Sequence, residues 1–141
     1  MSVYFETTNP SALLSAFDAA ISLGNQAGGI ATWTKVQGYY THTSAQWGGQ
    51  AYFQASVTTN RLVFNIVKPT NASVSIETYG YYHGHIIETM LNHFDKMFVT
   101  GAATALPTAG DRLTYGRSTW QGMLANNIAS TAAEAPSAAA T

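Results

Sequence analysis

The sequence predicts an α+β fold: a mostly antiparallel sheet of four strands, or five if Leu113–Tyr115 adds one, packed by two amphipathic helices and followed by an extended C-terminal tail. Two kinds of observation predict it. Apolar residues alternate strictly through 51–58 and again through 62–67, the period of half-buried strands. Helical spacing appears instead at 10–23 and 86–98, so strands in a run are flanked by helices.

The first helix opens at Asn9-Pro10-Ser11, where Asn suits the N-cap and Pro the first helical position. Leu13, Leu14, Phe17, Ala20 and Ile21 form its apolar stripe, and Gly24 stands where a terminating glycine is expected. Asn25–Gly29 reads as a loop. Ile30–Thr43 is rich in Thr, Tyr, Trp and Val and reads as one strand, with Gly38 marking a bulge or a close backbone approach. After a loop over Ser44–Gly49, Ala51, Phe53, Ala55 and Val57 make one face of a strand. Thr59-Asn60 turns the chain, and Leu62, Phe64 and Ile66 continue the same face of a hairpin. Lys68–Asn71 breaks the pattern. Val74, Ile76 and Thr78 alternate with Ser73, Ser75 and Glu77 as a fourth strand, which Gly80 ends.

The second helix carries Ile86, Ile87, Met90, Leu91, Phe94, Met97 and Phe98 on one side, enough to cover a sheet face. His85, Glu88, Asn92 and Lys96 lie on the other side, toward solvent or a partner. Gly101 is its expected stop. Ala102–Gly110 reads as a loop or an edge strand, and Trp120–Ile128 as weakly helical. Ser130–Thr141 is Ala-rich and cannot bury enough surface to fold alone. The expected organisation is therefore one α+β domain over 1–116 and a weakly helical, then Ala-rich arm over 117–141.

Composition narrows the function. The chain has 141 residues, one domain's worth, and only 9% of them are charged, for a formal charge of -1. Ordinary globular chains carry about 25% charge. With so few cations there is no footprint for gripping phosphates, so no direct nucleic-acid partner is expected. No apolar run approaches the ~20 residues of a membrane helix, so no membrane partner is expected either. Met1–Glu6 lacks a basic segment followed by an apolar stretch, and no secretory leader is expected. The absence of Cys excludes disulfides and thiolate zinc sites. A surface this weakly ionised is poorly protected against association, which leads to the expectation that neighbouring subunits cover much of it.

Only one constellation suggests chemistry: His83, His85, Glu88 and His93, of which His83 falls toward the apolar side if the helix extends that far. His85 and Glu88 are three residues apart on a helix and can meet, as a metal pair or an acid/base pair. His93 lies two turns further on and makes a poor third ligand, and the spacing fits no zinc motif. A solvated helix face accounts for these residues more simply, so neither a catalytic residue nor a cofactor nor a metal is expected. Gly28-Gly29 and Gly48-Gly49 match no phosphate-binding motif, and Ser44 and Ser118 have no nucleophile-elbow context.

The aromatic supply is unusual, at 12% of the chain. Interfaces are enriched in such side chains. Trp33, Tyr39, Trp47, Tyr52, Tyr81 and Trp120, with Ala135 and Pro136 of the arm, are the expected interface residues.

The charge-poor Thr/Ala/Tyr texture, the helix Ala12–Leu23 followed by the hairpin Tyr52–Val67, the helix Ile86–Phe98 and the pliable end Ala132–Thr141 together resemble small structural proteins of tailed bacteriophage virions. The resemblance implies a neck, tail, baseplate or capsid-decoration component that binds copies of itself and other structural proteins. It implies residence in the virion after assembly in the host cytoplasm, and no enzymatic activity. It transfers no site residue. The alternatives are a non-enzymatic binding module for a carbohydrate or small polar ligand, a phage inhibitor protein, and a small metal-dependent enzyme using His85 and Glu88.

Overall fold

The computed structural model describes residues 2–113. The expected weak helix at Trp120–Ile128, the arm, and the expected interface residues Trp120, Ala135 and Pro136 lie outside those residues. Within them the fold is α+β, with two helices and an antiparallel sheet. The sheet has six strands rather than four or five: β1 Val3–Glu6, β2 Trp33–Val36, β3 Tyr39–His42, β4 Tyr52–Val57, β5 Arg61–Val67 and β6 Thr100–Ala103, in the spatial order β2-β3-β4-β5-β1-β6. Every ladder between them is antiparallel.

Helix α1 spans Pro10–Leu23 as the caps predict. The Asn9 side chain accepts the Ala12 N–H at 3.1 Å, which satisfies one of the orphan donors of the first turn. Gly24 ends the helix at φ 56°, with its N–H on the carbonyls of Ala20 and Ile21. The β4–β5 hairpin also forms, with Phe53 opposite Ile66 and Ala55 opposite Phe64.

Four corrections explain the larger sheet. Val3 and Phe5 point into the core from β1, which four residues of alternation are too short to announce. Ile30–Thr43 is a hairpin, not one bulged strand. Gln37 and Gly38 both adopt positive φ, 51° and 86°, the geometry of the two-residue turn that matches strand twist. It folds β2 back on β3, with Val36 opposite Tyr39.

The strand expected at Val74–Thr78 is instead the start of helix α2, Ile76–Phe94. Ser75 caps it, accepting the Thr78 N–H at 3.1 Å, and Glu77 sits in the first turn, where a negative charge is favoured. Capping thus outweighs five residues of alternation, and Gly80 lies inside the helix instead of before it. Because α2 begins ten residues earlier than its aliphatic stripe suggests, its buried face is Tyr79, Tyr82, His83, Ile86 and Met90. Leu91 is left 53% exposed, and Met97 and Phe98 lie past the helix end. Finally, Gly101 does not stop a helix but occupies β6, the outermost strand.

Both helices cover the same face of the sheet. Phe17 of α1 meets Phe64 of β5 edge to face, with centroids 5.9 Å apart, and Tyr82 of α2 meets Phe53 of β4 at 6.1 Å. Phe17 and Phe94 join the helices to one another at 6.4 Å. The chain then returns alongside β5, where Arg112 bridges Val67 in parallel. The buried Asp111 carboxylate holds this return, accepting the Ile66 N–H at 3.1 Å and the Thr108 N–H at 2.6 Å.

Candidate functional site

The chemistry-bearing side chains gather where α2 crosses β2, β3 and the loop before β4. Trp33, the first residue of β2, and His42, the last of β3, are opposite one another across the hairpin and face the helix side. Their rings are 4.4 Å apart. Trp33 donates its Nε1–H to the Thr89 hydroxyl at 3.0 Å, and Thr89 donates in turn to the His85 carbonyl at 2.8 Å. From α2, His85 meets His42 edge to face at 4.2 Å, and Tyr81 lies 4.9 Å from the same imidazole. Trp47, from the loop, stacks flat on Tyr81, with centroids at 4.2 Å and 8° between planes. The Tyr82 hydroxyl anchors that loop by donating to the Trp47 carbonyl, and it lies 3.0 Å from the Thr41 hydroxyl. The Gly49 N–H also bonds the Thr41 oxygen, at 3.0 Å.

The electrostatics favour neutral imidazoles. Burial, and then the neighbouring His85, hold His42 down to about 4. Burial also lowers His85, partly opposed by the Glu88 carboxylate. The His42 Nε2 is buried without a hydrogen-bond partner. His83 stands on the core side of α2, stacked on Tyr79 at 3.9 Å, and its Nδ1 donates to the Tyr79 carbonyl at 2.7 Å. Burial lowers it to about 4, outweighing that carbonyl.

Two shallow hollows flank the cluster. One, of about 460 Å³, is lined by Gly80, Tyr81, Gly84, His85 and Glu88. The two glycines are one helical turn apart, and no atom lies within 4 Å of a Cβ added at either, so bare helix backbone forms the floor. The other, of about 390 Å³, includes Thr34, Thr41, His42, Ser44 and Gly48.

The expected site residues distribute unevenly. Trp47 and Tyr81 are half-buried and form the stack. Trp33 and Tyr52 are 1% and 0% exposed, so both rings are spent on this chain's own interior. Tyr52 lies on the opposite face of the sheet with Val67, Val36 and Tyr39, its ring 6.3 Å from that of Tyr39. His85 and Glu88 share a hollow, while His93 stands apart on exposed surface next to Phe94. Among the described residues no three His, Asp or Glu side chains are grouped to hold a metal ion.

The residue that sequence reasoning missed is His42. It is the next-to-last residue of a segment read as one strand, Ile30–Thr43, and the turn at Gln37-Gly38 brings it back beside Trp33 under α2. The local signal is Gln37-Gly38, a two-residue hairpin turn once Gln37 is allowed a left-handed backbone.

The arrangement offers a flat aromatic platform, neutral imidazoles and a floor of exposed peptide. No family model matches this chain, and neither a curated protein nor a solved structure matches it.

Proposed function

We propose that this chain is a structural assembly subunit, most in keeping with a bacteriophage virion component of the neck, tail, baseplate or capsid surface, and that it acts through contacts with copies of itself and with other structural proteins. Its working place would be the virion. The observation that carries the reading is the combination of 9% charge with large apolar side chains on the surface. Val99 is 84% exposed, Ile76 59% and Leu91 53%, with Val57 and Leu106 above 40%. Lone exposed apolar residues are normal. They gain meaning where few charges surround them to keep molecules apart.

Sedimentation of the full-length protein over a wide range of concentrations tests the proposal. Concentration-dependent growth beyond the 15.0 kDa monomer supports it. A single monomeric species at every concentration, at low and moderate salt, overturns it.

A second reading, a non-enzymatic module for a carbohydrate or small polar ligand, is favoured by the Trp47–Tyr81 platform beside the hollow of Tyr81, His85 and Glu88. Saturable quenching of tryptophan fluorescence by a sugar panel, lost in Trp47→Ala, would move the assignment to it.

A further inference from the structure

We infer that the outer edge of β6 is a self-pairing edge, at which two copies of this chain join their sheets antiparallel about a two-fold axis through Ala102. The inference rests on the assembly reading above and names the surface through which self-association would run.

The direction of each backbone group fixes which residues are free. Thr104 donates its N–H to Ser2 at 2.8 Å and Val99 donates to Glu6 at 2.7 Å, so Ser2 and Glu6 turn their carbonyls toward β6. Thr7 bonds instead to Asn60, on the β5 side. Bonded and unbonded pairs alternate along an antiparallel ladder. Tyr4–Ala102 is thus a bonded pair, and Val3–Ala103 and Phe5–Gly101 are not. The N–H and C=O groups of Gly101 and Ala103 consequently point away from the sheet. Ala103 is exposed, and β6 has no strand on its far side among the described residues.

Proteins usually guard such an edge with charge, Pro or a bulge. The opposite edge, β2, has Lys35 in its middle, bound to Asp18 of α1 at 3.3 Å. The four residues of β6, Thr100–Ala103, include neither a charge nor a Pro. No charged residue occurs between Lys96 and Asp111, a stretch that runs Met-Phe-Val-Thr-Gly-Ala-Ala-Thr-Ala-Leu-Pro-Thr-Ala-Gly.

The strand is also complementary to itself. Antiparallel pairing with Ala102 opposite the Ala102 of a second copy sets Gly101 of each against Ala103 of the other. All the outward groups of both strands are then used, in about four cross-interface hydrogen bonds. The same register brings Val99, the most exposed large apolar residue among the described residues, toward Ala105 and Leu106 at the far end of the partner strand. No like charges meet anywhere along it. An interface between two copies of one surface patch requires this kind of self-complementarity.

The test uses the full-length chain. Ala103→Pro removes an outward N–H while leaving the ladder to β1 intact, a position at which an edge strand tolerates Pro. It should weaken self-association by at least about tenfold in sedimentation, with the circular dichroism of the wild type. Ala102→Cys places the chain's only thiol on the axis. Non-bonded antiparallel pairs have Cα atoms about 4.5 Å apart, within disulfide reach. Mild oxidation should trap a covalent dimer far faster than in Gln54→Cys, an exposed control on β4. This second variant keeps the test decisive if Ala103→Pro fails to fold. Self-association that persists unchanged in a folded Ala103→Pro, or Ala102→Cys that links no faster than Gln54→Cys, overturns the edge pairing and leaves the assembly reading standing. A wild type that never associates overturns both.

Discussion

His42 and His85 meet edge to face with their ring centroids 4.2 Å apart, one supplied by the end of a strand and the other by the middle of a helix. Neither imidazole can take a proton without cost to the other or to the packing around Trp33.

Burial of His42 and His83, with the neighbouring His85 adding to it for His42, makes the fold acid-sensitive. In the folded chain His42 and His83 are each held down to about 4, against 6.5 for a free imidazole. The unfolded chain therefore binds protons first as pH falls. Their stabilising contribution is complete above about pH 6.5 and is lost progressively toward pH 4. For His83 the loss is about 3 kcal/mol at most. Urea unfolding between pH 4 and pH 8 should show the decline, and His83→Leu should flatten part of it. Equal stability at pH 4.5 and pH 7.5 would refute the prediction.

Gly101→Ala should destabilise the protein by about 1–3 kcal/mol. A Cβ there would stand 2.8 Å from a ring carbon of Phe5. That ring is fully buried and wedged between Phe64 and Phe98, so it cannot swing aside. Thermal denaturation measures the loss, and Ala102→Gly, next to it on β6, should cost less.

Asp111→Ala should cost about 2–3 kcal/mol, because the N–H groups of Ile66 and Thr108 lose their acceptor inside the protein. Asp111→Asn keeps one acceptor and should recover part of the loss. Hydrogen exchange should quicken first around Ile66 and Lys68, where the returning chain is fastened.

Trp33→Phe removes the donor to Thr89 and, because phenyl is smaller than the enclosed indole, part of the packing against His42 and Tyr82. A loss of about 2–3 kcal/mol is expected, the lost packing adding to about 1 kcal/mol for the hydrogen bond. An unchanged unfolding midpoint would overturn it.

Removing Ser130–Thr141 should leave the circular dichroism and melting temperature nearly unchanged and weaken assembly. If sedimentation is identical with and without those residues, the arm takes no part in association.

Much of the fold was legible in the sequence. The α1 boundaries followed from Asn9, Pro10 and Gly24, and the β4–β5 hairpin from seven alternating apolar positions. The failures have local causes. Val3–Glu6 is too short for a period to emerge. Gln37 takes a left-handed backbone that its residue type does not advertise. Ser75 caps a helix whose first residues alternate like a strand. The site was less legible, because its members come from β2, β3, a loop and α2, and only tertiary packing joins His42 to His85. Aromatic content drew attention to Trp33, Trp47 and Tyr81 but could not distinguish Trp33, enclosed in the core, from the half-buried stacked pair.

The position of β1 between β5 and β6 has a kinetic consequence. Residues 3–6 must wait for residues 61–67 on one flank and 100–103 on the other. Such distant pairings carry a loop-closure cost before any reward, and they slow folding. Among the described residues β6 attaches to the sheet through β1 alone, so whatever delays the docking of Val3 and Phe5 leaves both late strands searching. Refolding should therefore show α1 and the β4–β5 hairpin protected early, with β1 and β6 gaining protection together in the final phase.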